Sequence, residues 1–172
     1  MTISTPLAAR AAGALLLIPA AALLPGAAHA DTASSTLSVS ATVTANCTVS
    51  TSALAFGNVN TLSGTNVDGS GGLSVTCTNG TAWTASAGVG AGSGASFAAR
   101  RMSAGGDLLN YNLYTNSARS TVWRDGTAST ATVGGTGSGT TQAVTIYGRV
   151  NSGQTSAPAG SYADTVAVTV TY

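Results

Sequence analysis

The sequence predicts an all-β chain folded as one antiparallel sandwich. Three observations carry that prediction. Apolar residues alternate with small hydroxyl residues in several runs, the period of a strand with one buried face. Gly, Asn, Asp and Pro punctuate those runs with turn chemistry. No segment after Ala30 keeps a helical period, and strands without intervening helices build sandwiches rather than parallel α/β sheets. A chain of 172 residues that also carries a leader suits one core and no more.

Met1 to Ala30 reads as a secretory signal peptide. Arg10 is its only charge, an apolar core runs from Ala11 to Leu24, and Ala28-His29-Ala30 supplies a small-x-small cleavage pattern. The apolar run is broken by Pro19 and Pro25 and is short of the roughly 20 residues that a membrane span needs. The mature chain is therefore expected to begin at Asp31 and to be exported.

Thr36 to Ala45 is the first long alternating run. Leu37, Val39, Ala41 and Val43 fall on one face, with Thr36, Ser38, Ser40, Thr42 and Thr44 on the other. A period of two says only that one face is buried. The run suits an ordinary first strand of its own sandwich and a strand lent to a neighbouring copy equally well.

The remaining elements follow in order. Cys47 to Phe56 is a strand candidate ending at Gly57-Asn58, and Thr61 to Gly72 reads as a polar loop. Leu73, Val75 and Cys77 alternate, Asn79-Gly80 signals a hairpin, and Trp83 opens the return strand. Leu108 to Tyr114 is a bulky strand; Thr121 to Arg124 is another, closed by Asp125-Gly126. Gly134 to Thr140 reads as a flexible tip. Gln142 to Val150 alternates through Val144 and Ile146, and Pro158-Ala159-Gly160 turns into a final strand from Tyr162 to Tyr172.

Composition narrows the function. After Ala30 there is no His, Lys or Glu, and five Arg balance five Asp. The usual general bases and activators of nucleophiles are missing, and the Asp residues are scattered singly beside turns, so no enzyme is expected. No His/Cys/Glu cluster has metal-ligand spacing, so neither metal nor cofactor is expected. A neutral chain without Lys offers no basic patch to nucleic acid. Low charge with abundant Thr, Ser, Ala and Gly solubilises a monomer poorly and suits a chain destined for assembly.

Cys47 and Cys77 are the only cysteines. An even count in an exported chain reads as one disulfide, which stabilises by about 3 to 4 kcal/mol on the loop-entropy model. Three further patterns have plainer readings. Gly90 to Ala95 fits G-x-G-x-x-A, but no amphipathic helix follows to present its N-terminus to a phosphate. Asn79-Gly80-Thr81 and Asn46-Cys47-Thr48 match a glycosylation sequon short enough to arise by chance. Trp83, Trp123 and the tyrosines suggest a sugar-binding platform, but aromatics are sparse here and lie in strand runs, where core packing is the commoner fate.

An ordered set of residues resembles a known family. Cys47-Thr48-Val49 with Leu54-Ala55-Phe56-Gly57, then Leu73 to Gly80, is similar to the first half of the spore coat protein U domain. Arg101-Met102, Leu109 to Tyr114, Trp123, Ile146 to Val150, Gly160 to Val166 and the ending Val168 to Tyr172 continue the likeness, which covers Asn46 to Tyr172. Val59 stands where a bulkier aromatic is expected, and Gly88 to Ala95 and Gly134 to Thr140 are unusually rich in Gly.

That resemblance implies a subunit of archaic, Csu-type chaperone–usher pili. The implied fold is an incomplete immunoglobulin-like β-sandwich, completed by a donor strand from a neighbouring subunit. The implied organisation is a signal peptide over 1–30, a donor strand over 31–45 and a pilin domain over 46–172. Leu37, Val39, Ala41 and Val43 would be the donor residues. Phe56, Leu113, Ile146, Val166, Val168 and Val170 would line the acceptor groove. Implied partners are further pilin subunits in a homopolymer, a periplasmic chaperone and an outer-membrane usher. The implied setting is a cell-surface pilus reached through the periplasm, serving adhesion and biofilm formation. The alternatives are an exported carbohydrate-binding sandwich and a coat or matrix protein without a pilus.

Overall fold

A computed structural model describes residues 29–127 and 130–172. The expected signal peptide lies, up to Ala28, outside the described residues. The chain divides into two units, Met1–Ser40 and Ala41–Tyr172, so the division falls inside the stretch expected to form an arm. Residues 29–46 hold no strand and are exposed throughout.

The second unit contains β1 (Cys47–Ser52), β2 (Val67–Cys77), β3 (Ala82–Ala87), β4 (Arg100–Ala104), β5 (Asp107–Tyr114), β6 (Val133–Thr136), β7 (Thr141–Val150) and β8 (Val168–Thr171). They form a five-stranded sheet, β1-β2-β7-β5-β4, and a three-stranded sheet, β6-β3-β8. Every pairing within them is antiparallel. The all-β sandwich expected from the alternating runs is present. Its core takes every second residue: Leu73, Val75 and Cys77 from β2; Trp83, Ala85 and Ala87 from β3; Leu109, Tyr111 and Leu113 from β5; Ile146 and Val150 from β7. Trp123 completes it from a loop.

Cys47 and Cys77 are bonded and form the first rung of the β1–β2 ladder. The Asn79-Gly80 turn is made, with Gly80 at φ 81° and Thr81 N donating to Thr78 O at 3.0 Å. It is not a hairpin. Both edges of β2 are already occupied, by β1 and β7, so the turn carries the chain across to the other sheet, where β3 pairs with β6 and β8.

Other expectations also change. The polar loop ends before Val67, because Val67–Gly72 is strand. Its inward glycines, with Gly148 opposite Gly69, leave a bare patch on the sheet that receives Leu54 and Phe56. β1 accordingly ends at Ser52, and the chain beyond it climbs over that patch. Gly134 and Gly135 lie in β6 rather than in a flexible tip. A Cβ would come within 2.8 Å of Trp83 O at Gly134 and 3.1 Å of the indole at Gly135, so glycine lets β6 lie against Trp83. Thr121 to Arg124 makes only one bridge, Tyr114 to Val122, because Trp123 turns inward and donates from Nε1 to Ala85 O at 3.0 Å.

The expected last strand is split. Alternate burial runs from Tyr162 to Val170. Ala163, however, exchanges hydrogen bonds of 2.9 and 3.1 Å with Ser103 of β4, and only Val168–Thr171 pairs with β3. The C-terminal segment thus starts on one sheet and finishes on the other.

Candidate functional site

Between the segment 51–62 and the segment 157–168 lies a cleft of about 1140 Å³. Leu73, Leu109, Tyr111, Leu113, Trp123 and Ile146 line its depth, and all six are buried core residues. Leu54 and Phe56 form one wall, seated on the glycine patch. Phe56 meets Tyr111 edge to face, with ring centroids 6.0 Å apart. Tyr162, Val166 and Val168 form the other wall. This volume exceeds the roughly 300–1,000 Å³ of an ordinary small-molecule pocket.

The second wall runs into an unpartnered sheet edge. β8 has β3 on one side and no described strand on the other. Free backbone N–H and C=O groups along such an edge template pairing with another chain. Apolar floor and open edge together make a seat for an extended segment with one apolar face.

Polar groups hold the wall in place. Tyr111 Oη donates to Asp164 Oδ2 at 2.6 Å, while Asp164 Oδ1 accepts from Ala91 N at 2.7 Å and Thr165 N at 2.8 Å. Burial, then the Asp164 hydrogen bond and charge, push the Tyr111 phenol well above its ordinary range against the pull of Arg100. The Gly90 to Ala95 motif therefore serves Asp164 through Ala91 N, and the next strand after it is β4. Beneath lies Arg100, fully buried, donating to Gly88 O (2.9 Å), Asn112 Oδ1 (2.7 Å) and Trp123 O (2.6 Å). Burial lowers its pKa.

Of the expected groove residues, Phe56, Leu113, Ile146, Val166 and Val168 line the cleft together. Val170 does not. It stands opposite Ala85, two residues further along β8 than Val168, and packs, half-buried, on the core beyond the end of the cleft. Leu54, Leu73, Met102, Leu109, Tyr111 and Tyr162 also line the cleft and were missed. Leu109 and Tyr111 share the period of Leu113, so that signal was available in the alternation of β5. Of the expected donor residues, Leu37, Val39 and Val43 are 88%, 85% and 84% exposed, and Ala41 is exposed too. Trp83 and Trp123 are buried, with indole N–H groups bound to Gln142 Oε1 and Ala85 O; Trp83 lies outside the cleft and Trp123 forms part of its floor.

The fold and cleft define a class: an exclusively β sandwich, among the described residues, with an apolar cleft open beside an edge strand. The chain belongs to the Spore Coat Protein U domain family, whose model matches residues 33–169. Among curated proteins none matches the sequence. Among solved structures, the chain is similar to one in the CsuC–CsuE chaperone–tip adhesion subunit pre-assembly complex from archaic chaperone–usher Csu pili of Acinetobacter baumannii. Identity is 22% and the TM-score 0.49, covering 76% of this chain and 40% of that one. The chain thus spans less than half the length of that structure's chain.

Proposed function

We propose that this chain is a structural subunit of an archaic chaperone–usher pilus and polymerises by donor-strand exchange. The observation that carries the reading is the apolar cleft beside the open edge of β8. Residues 31–45 of one copy would lie in the cleft of the next copy's domain, 46–172. Leu37, Val39, Ala41 and Val43 match the seat in period, and their exposure fits an arm awaiting a partner.

Burying Leu37 and the two valines gains roughly 1.5 to 3 kcal/mol each, with Ala41 adding less, so the gross apolar gain is on the order of 5 to 10 kcal/mol. Ladder hydrogen bonds along β8 add about 1 kcal/mol apiece. Ordering the arm offsets part of this. An open cleft and edge also invite aggregation. A periplasmic chaperone lending its own strand, and an outer-membrane usher that exchanges it, fit that hazard. Adhesion and biofilm formation are the roles such a surface polymer would serve.

Deleting residues 31–45 tests the assignment. The truncated chain should still be captured by a chaperone yet give no ladder on an unheated denaturing gel. A normal ladder from it sinks the donor reading.

A further inference from the structure

We infer that the Cys47–Cys77 disulfide is a tension clamp that isolates the cleft of each subunit from load on its own arm. The inference rests on the strand-exchange reading above and adds a mechanical role to it. The arm ends at Ala45, and Cys47 is the first residue of β1. In the β1–β2 ladder the pairs run from Cys47↔Cys77 to Ser52↔Gly72. Any pull on the arm therefore passes the Asn46–Thr78 hydrogen bonds and then meets the Cys47–Cys77 rung, the first covalent cross-link it reaches.

What lies behind the rung explains why this matters. β1 is an edge strand, hydrogen-bonded only to β2 and exposed along most of its length. Noncovalent rungs at such an edge would be loaded and broken one after another from Cys47 onward. The next chain segment, after Ser52, carries Leu54 and Phe56, one wall of the cleft. Peeling β1 would drag that wall away and release the strand held from another copy. With the bridge closed, load leaves the arm through Sγ–Sγ into β2, which is laced to β7 from Val67↔Val150 to Thr76↔Thr141. Asn46 is fixed at the same point, its N–H donating to Thr78 Oγ1 at 3.1 Å and its carbonyl accepting from Thr78 N at 2.9 Å.

Force spectroscopy on fibres assembled from the oxidised chain, before and after adding a phosphine reductant, tests the clamp. Oxidised fibres should separate at their joints without an earlier step. Reduced fibres should show an added step at lower force as residues 47–66 pay out, on the order of 6–7 nm at full extension. A C47S/C77S/S52C/G72C variant moves the bridge to the far end of β1. It keeps a closed loop, which restores loop-entropy stabilisation, but leaves the first rungs unclamped. Its fibres should show a short early step of about 2 nm. Identical traces for oxidised and reduced wild-type fibres would overturn the clamp, as would a relocated bridge that behaves like the native one. If the oxidised wild-type chain forms no ladder on an unheated gel, strand exchange itself has failed, and the clamp falls with it.

Discussion

Tyr111 Oη donates to Asp164 Oδ2 at 2.6 Å, tying the floor of the cleft to the wall that leads into β8. Tyr111 is only 5% exposed, and its hydroxyl meets the half-buried Asp164 carboxylate at the side of the cleft. Tyr111→Phe removes a hydrogen bond to a charged acceptor, a change of about 1.5–3 kcal/mol. The urea midpoint should fall accordingly with an unchanged m-value.

The same pair sets a pH dependence. The phenol is held protonated in the fold, chiefly by burial and then by Asp164, whereas in the unfolded chain it ionises near pH 10. Above that pH the unfolded state binds fewer protons than the folded state, so stability declines as pH rises. Below it the contribution is fully present. Wild type should lose stability from about pH 10 upward, and Tyr111→Phe should decline less steeply. Parallel curves for the two proteins in urea titrations would contradict this.

Gly148→Val tests the glycine patch. A Cβ at Gly148 would come within 2.8 and 2.9 Å of the Leu54 methyls and 2.9 Å of Phe56 Cζ. Overpacking of this kind costs about 1–3 kcal/mol. The expected outcome is a lower melting temperature and weaker retention of a bound arm, because the displaced side chains form a cleft wall.

This patch also shows where sequence reasoning stops. Strands with apolar residues on alternate positions, such as Leu73-Ser74-Val75-Thr76-Cys77, announce their buried face directly. Asp68-Gly69-Ser70-Gly71-Gly72 has the composition of a loop, and it is a strand because another segment supplies its missing side chains. Nothing local in a sequence specifies such a loan. The same holds for Gly134-Gly135 against Trp83. The Asn79-Gly80 turn was legible, but its sheet partner was not, since that depended on β7 taking the other edge of β2 from far downstream in sequence, 65 residues on in the pair Thr76↔Thr141. In the cleft, Phe56, Leu113 and Ile146 could be placed from strand period. Val170 could not, because it shares the alternation of Val166 and Val168 and nothing local in the sequence marks where the cleft ends.

Arg100→Met should be far more damaging than its formal charge suggests. The guanidinium is the donor to Gly88 O, Asn112 Oδ1 and Trp123 O in a buried site. Methionine fills similar space but leaves Gly88 O and Trp123 O without it, at about 1–3 kcal/mol for each buried group unsatisfied, while Asn112 Oδ1 keeps the Leu113 N–H. The loss should exceed that of Tyr111→Phe and appear as a chain that fails to reach its oxidised, protease-resistant form. Arg100→Met with wild-type protease resistance would show that the network is dispensable.

Charged substitutions in arm and cleft separate strand exchange from self-folding. Val39→Asp places a carboxylate where an apolar side chain would enter the cleft, and an unpaired buried charge costs several kcal/mol, roughly the whole apolar gain of the arm. Val168→Asp does the same from the cleft side. In strand exchange the two defects are directional. A Val39→Asp copy accepts an arm but cannot donate one, and a Val168→Asp copy donates but cannot accept. Neither should polymerise alone. Mixed in equal amounts they should stop at a heterodimer, in which the Val168→Asp copy donates to the cleft of the Val39→Asp copy. If residues 36–45 instead folded into their own sandwich, each variant would be a destabilised monomer and mixing would change nothing. An unheated gel of the two variants, alone and mixed, reads the difference as a single new band.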